Sequence, residues 1–183
     1  MAQEKPLQAQ NLQVVQDAID SAIAEMTEEQ LAWHLEGKWS SDQILEHLYL
    51  VFINSIKGLN QLLADGKPAL RKSTMKERVA VLVTVKIGYI PGGRKAPQSV
   101  VPKGMGSRAV QEGIQETIVT MDELGKQCQR RFGDKEKIFL HPVLGPLTLR
   151  ELFKFHSTHT LHHMRQIQAL RRKYMDGHRR QIS

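Results

Sequence analysis

Four stretches of this chain repeat their apolar side chains every three or four residues, a period that only packed helices can bury on one face. The first runs through Leu12, Val15, Ile19, Ile23 and Met26, the second through Ile44, Leu48, Val51, Ser55, Leu59 and Leu62. The third is Val110, Ile114, Ile118, Met121, Leu124 and Cys128. The fourth passes through Leu152, Ile167, Leu170 and Tyr174, with histidines set among them. These stripes predict long helices over about 7–26, 41–64, 107–132 and 149–175, followed by a frayed tail at 176–183.

Boundary signals support those limits. Ser40 with Gln43, and Thr148 with Glu151, have the spacing of a capping box, and Asp42 puts negative charge where a helix N-terminus favours it. Gly66-Lys67-Pro68 supplies a stop. Thr27 to Gln30 could start a further short turn, and the segment 31–39, carrying Trp33 and Trp39, reads as a link folded over a bundle end. Residues 75–90 are ambiguous. A capping box at Thr74 and Glu77 leads into a helical stripe of Met75, Val79, Leu82, Val83 and Ile87, yet Val79, Val81, Val83 and Val85 also alternate as in a strand. Helix is the expectation, because no partner strand is evident elsewhere. Pro97 and Pro102 make 95–106 a long crossing loop, and His141-Pro142 to Pro146 a rigid turn. The sum is an all-α four-helix bundle, one domain over 1–183, with a long crossover between the second and third long helices.

Composition narrows the functional classes. A chain of 183 residues can bury a sizeable core without staples. Its one cysteine, Cys128, excludes an intrachain disulfide and any Cys-x-x-Cys metal or redox motif, and its place on an apolar stripe reads as core packing. No run of 18 apolar residues occurs, so no membrane span is expected. The first thirty residues lack a basic start followed by an apolar stretch, and the expected location is the cytoplasm. Residues 1–66 carry 10 acidic and 3 basic side chains, whereas 67–183 carry 9 acidic and 23 basic, which could steer an anionic ligand. The basic stretch lacks the motifs of a nucleic-acid reader, so nucleic acid is not the expected partner. Apolar positions in excess of one bundle core would be covered by homodimer formation.

The chemistry concentrates in the last helix. At about 100° per residue, His156, His159 and His163 share one arc with Leu152, Ile167 and Leu170, while His162 falls at its margin. Buried imidazoles need polar partners for two nitrogens each. His159 and His163, four residues apart, stand one above the other and could grip one ion. His47, between Ile44 and Val51, points inward from another helix and could complete a three-histidine set with a position open to water or substrate. The alternative is a metal-free polar network. Thr160 follows His159, so the general base of a His-Glu-x-x-His motif is absent. His34, His141 and His178 fall in expected loops or the tail and read as surface or capping residues, with packing at the helix entrance a further reading for His141.

The segment Gly37-Lys38-Trp39-Ser40-Ser41-Asp42-Gln43-Ile44-Leu45-Glu46-His47-Leu48, the turn His141 to Thr148 and the run His159-Thr160-Leu161-His162-His163-Met164-Arg165-Gln166-Ile167 together resemble the DinB-like superfamily. This is the DNA-damage-inducible-type group of four-helix proteins that includes the bacillithiol-dependent transferases. The resemblance implies an up-down-down-up bundle with zinc or nickel on His47, His159 and His163. It also implies, in some branches, transfer of a low-molecular-weight thiol to a small electrophile. His156 and His162 are then candidate catalytic or ligand-orienting residues, and Arg94, Lys95, Lys103 and Arg108 candidate contacts for an acidic thiol. A metal-dependent hydrolase, a non-catalytic metal-binding bundle and a metal-free interaction protein remain the other readings.

Overall fold

The computed structural model describes residues 7–68, 71–91 and 95–182. Six α-helices form a mostly helical bundle: α1 (Leu7–Ile23), α2 (Glu28–Ala32), α3 (Ser41–Asp65), α4 (Met75–Val81), α5 (Ser107–Phe132) and α6 (Leu149–Ile182). A π-helical turn (Leu82–Ile87) continues α4, and a 3-10 turn (Gln98–Val100) interrupts the crossing loop. No helix among the described residues is long and apolar enough to cross a membrane.

The predicted stripes make the core. Helix α3 packs on α5 and α1 on α6. Leu12, Val15, Ile19, Ile44, Leu48, Leu59, Ile114, Met121, Leu152 and Ile167 are each 3% exposed or less. Cys128 is a buried free thiol, pushed up to about 11 by desolvation. Capping boxes form at Ser40 with Gln43, Thr74 with Glu77 and Thr27 with Gln30, each satisfying two backbone N–H groups at a helix start. Trp33 and Trp39 are half-buried against the core, Trp33 meeting Tyr174 edge-on at 5.8 Å.

Three helical glycines let aromatic rings press onto a backbone. A Cβ at Gly113 would lie 2.7 Å from the Tyr49 ring, one at Gly58 2.5 Å from Phe139 and one at Gly125 2.6 Å from Phe153. Arg131, at the far end of α5, donates to the Leu63 carbonyl at 2.6 Å. Helices α3 and α5 are thus clamped near both ends.

Several expectations are corrected. Helix α1 stops at Ile23, not near 26, because Glu25 takes a left-handed conformation (φ 61°) that no helix continues. The tail does not fray at 176: α6 runs to Ile182. His178 stacks on Tyr174 at 4.0 Å and bonds its carbonyl, and the clustered basic residues suit a helix C-terminus. Residues 75–87 are helical, but their predicted stripe does not enter the core. Met75, Val79, Leu82 and Ile87 are all more than half exposed, while Thr84 and Val85 are buried. The π turn adds a residue per turn and shifts the phase of everything after it. The rigid turn at His141–Pro146 is the bend of a hairpin, with β1 (Lys137–His141) antiparallel to β2 (Gly145–Thr148). Strands of five and four residues are too short to show a period, and the hairpin is held by burial of Ile138, Phe139, Leu144 and Leu147.

The glycine contacts give a paired test. Gly125→Ala gains helix propensity of about 1 kcal/mol but drives a methyl into the buried Phe153 ring, which has no room to retreat. A net loss of about 1–3 kcal/mol is expected from overpacking. Gly177→Ala, with nothing within 4 Å, should instead stabilise by about 0.5–1 kcal/mol. Urea midpoints of the two variants check both signs.

Candidate metal centre

The first turns of α3 and the middle of α6 face each other, and there the structure brings His47, His159 and His163 together. One ring nitrogen from each lies within 4.8 Å of the others. His47 Nε2 is 3.4 Å, and His163 Nε2 3.1 Å, from His159 Nε2.

The hydrogen bonds set the tautomers. His47 Nδ1 donates to the Val100 carbonyl at 2.8 Å, an acceptor only. His163 Nδ1 donates to Gln166 Oε1 at 2.8 Å, and the Gln166 amide N–H is directed at His162 Nε2 at 3.1 Å. In neutral rings this leaves the Nε2 lone pairs of His47 and His163 directed at the third histidine. Burial, the largest cause throughout, keeps the rings neutral. It lowers His47, holds His163 down at about 3, and puts His159 well below its ordinary range, the neighbouring histidines adding to it.

Such a set fits a divalent ion. Bonds of about 2.0–2.1 Å in a tetrahedral set span nitrogen separations of about 3.4 Å, close to the two separations from His159 Nε2. Two ligands have their outer nitrogens held by acceptors, as orienting partners hold metal-bound imidazoles. His159 is the exception. Its Nδ1 is buried without a hydrogen-bond partner, and its ring is held by stacking on Phe155 at 5.2 Å.

A cavity of about 1570 Å³ opens onto the cluster, bordered by His47, His159, His162, His163 and also His141. His141 was expected at the surface, as a cap or packed at the entrance of the last helix. It is half-buried at the end of β1, its ring 4.5 Å from Phe155, and burial lowers it to about 4. Its Nδ1 accepts the N–H groups of Val143 and Leu144 at 3.1 Å each, so the neutral ring carries its proton on Nε2. The helical period could not find it, because it stands on a strand.

Other expected site residues fall differently. His156 is 1% exposed, stacked on Phe52 at 4.4 Å with Nε2 3.0 Å from Ser55 Oγ, and does not border the cavity. It braces α6 against α3 and cannot touch a substrate held there. His162 does border the cavity. Of the basic candidates, Lys95 borders it, Lys103 and Arg108 do not, and Arg94 lies outside the described residues.

Glu46 adjoins His47 on α3, about 100° round the helix from it. It is turned away, yet its buried carboxylate accepts the backbone N–H groups of Lys103, Gly104 and Met105 at 2.6, 2.9 and 3.1 Å. Adjacent residues of α3 therefore grip the same crossing loop, Glu46 through its amides and His47 through the Val100 carbonyl. In the sequence the available signal was a carboxylate next to an inward-facing histidine.

These buried imidazoles make stability depend on pH. Each has its folded pKa depressed, so its contribution is present above the unfolded value near 6.5 and is lost as pH falls towards the folded value. His141 at about 4, and His156 and His163 at about 3, place that loss between pH 6.5 and 3. At pH 5, unfolding of chelator-treated protein should take up about three protons from these rings. Urea midpoints measured from pH 7.5 to 4 should fall continuously, and less steeply in His156→Gln.

No curated protein and no solved structure matches the chain. A family match extends over residues 1–169, from the first helix through all three clustered histidines, to a protein of unknown function designated DUF1569; the chain belongs to the DUF1569 family.

Proposed function

We propose that this protein is a divalent-metal enzyme of the DinB-like group, with zinc or nickel held by His47, His159 and His163. We propose further that it transfers a low-molecular-weight thiol to an electrophile bound in the adjoining cavity. The observation that carries the reading is the convergence of three neutral imidazole nitrogens at the edge of a large cavity. Without a cation between them, lone pairs would be opposed at 3.1 and 3.4 Å unless His159 donates from Nε2. An up-down-down-up course, as in that group, is supported by contacts between helix ends. Tyr49 meets Gly113 and Leu63 meets Arg131, as in parallel α3 and α5. Phe153 at the start of α6 meets Gly125 late in α5, and Ala24 just after α1 meets Arg171 late in α6.

A bound divalent ion supplies Lewis acidity that makes a thiol or water nucleophilic at neutral pH. The chain's own groups do the rest. Val100 and Gln166 fix which nitrogens of His47 and His163 are free to ligate. His162 Nε2, held by the Gln166 amide, leaves the ring proton on Nδ1 at the cavity margin. His141 Nε2–H is a donor that can hold a developing negative charge on an electrophile's oxygen. Apolar walls limit water and strengthen both interactions.

Elemental analysis of purified protein should find one zinc or nickel per chain. His47→Ala, His159→Ala and His163→Ala should each weaken metal binding by more than about tenfold, and His178→Ala should leave it intact. Equal metal content in all five proteins would overturn the site. Metal-loaded protein is then offered bacillithiol, mycothiol, glutathione and cysteine against an electrophile panel, following thiol loss. Turnover that vanishes in His159→Ala supports transfer. Thiol-independent cleavage of an ester or amide panel moves the assignment to hydrolysis, and inactivity in both to a non-catalytic metal protein.

A further inference from the structure

The charges around the cavity are of one sign. Lys38 from the link before α3, Lys76 from α4, Lys95 from the crossing loop and Lys173 from α6 all border it. Among the described residues bordering it there is no aspartate or glutamate. The lysines come from four separate segments, so they do not form the solvated face of one helix. The buried carboxylate of Glu46 does not border the cavity and is taken up by three backbone amides. Imidazole ligands bring no charge, so an ion at the cluster would keep its full positive charge within the cavity. A cationic ligand meets only like charge among the charged groups that border this cavity, while an anion finds compensation at both the cluster and the rim.

The walls set the rest of the ligand. Trp39, Ile44, Val51, Phe139, Phe155 and Leu170 line the interior, and Met75, Val79 and Val83 close one side. Met75 and Val79, exposed on α4, thus face the cavity instead of the core. At about 1570 Å³ the space exceeds the range of about 300–1,000 Å³ usual for drug-sized ligands. A short, fully polar acid would leave these walls wet.

We infer that the cavity takes an organic anion with an extended apolar body, its acidic group towards the histidines and its body along the aromatic and aliphatic walls. The inference rests on the metal-centre reading for the orientation of the ligand, and on the lining for its charge and apolar character.

The test compares isosteric probes. Calorimetric titration of zinc-loaded protein with 4-phenylbutyrate, 4-phenylbutylamine and acetate separates charge from apolar contact. The carboxylate is expected to bind at least about tenfold more tightly than the amine and than acetate, a difference of about 1.4 kcal/mol. Raising salt should narrow the contrast with the amine. Lys95→Glu with Lys173→Glu should weaken the carboxylate by threefold or more, whereas Lys57→Glu, exposed and outside the cavity, should not. Amine binding as tight as the carboxylate overturns the charge assignment, and acetate binding as tight as phenylbutyrate overturns the apolar body. Zinc is counted by elemental analysis before each titration. Protein that binds no zinc yet prefers the carboxylate overturns the metal reading and keeps the ligand class. Zinc-bound protein without the preference overturns the ligand class alone, and protein with neither overturns both.

Discussion

Burying uncharged imidazoles between α3 and α6 is the constraint on which the rest of this molecule turns. A buried ring nitrogen without a partner costs on the order of 1–3 kcal/mol, so each histidine dictates what must stand beside it. His156 obtains Ser55 and a stacked Phe52, His163 obtains Gln166, and His47 obtains a carbonyl from a loop more than fifty residues away in sequence. These partners come together only when the crossing loop and both helices are in place. His159, whose Nδ1 stays unpartnered, is the member with least to lose from an ion that claims its other nitrogen.

The crossing loop illustrates how local strength and long-range order combine. Its backbone amides at 103–105 would be costly to leave unpaired against α3, and Glu46 satisfies all three with one carboxylate. Because His47 is the next residue, the same anchoring presents the Val100 carbonyl to its Nδ1. A loop with two prolines and two glycines between 97 and 106 thereby becomes a fixed wall of the cavity. On the opposite side, Thr74 caps α4 and Arg71 pairs with Glu77, whose carboxyl lies against Gly145 at the hairpin bend. That glycine has φ 69° and leaves no room for a Cβ, so helix, ion pair and hairpin fit only one way.

Helix limits were legible wherever a stripe ran long and a cap was local. Ser41–Asp65 and Ser107–Phe132 fall within a residue of expectation, the first through its apolar stripe and a Ser-x-x-Gln box that closes over one turn, the second through its stripe and the glycines at either end. The inward course of His47, His159 and His163 was legible for the same reason, since period alone assigns a face. Features that depend on distant partners were not. Glu25 ends α1 through a conformation its residue type rarely takes, Met75 and Val79 of α4 face the cavity, and the π turn after Val81 breaks the spacing of the residues that follow. His141 entered the cavity on a strand too short to carry a pattern.

What the sequence by itself determined is which faces of which helices are apolar, where the helices begin, and that three imidazoles point inward. Those are properties of spacing along one chain, fixed by 100° per residue and by caps that close within four residues. Only the tertiary structure decided that the three nitrogens come together, that His156 is sealed from the cavity while His141 borders it, and that lysines from four segments surround a space with no carboxylate among the described residues that border it. Meeting at a point requires the relative translation and rotation of α3 and α6. Those are set by rings seated on glycines and by a loop tied to Glu46, contacts between residues that no local period relates.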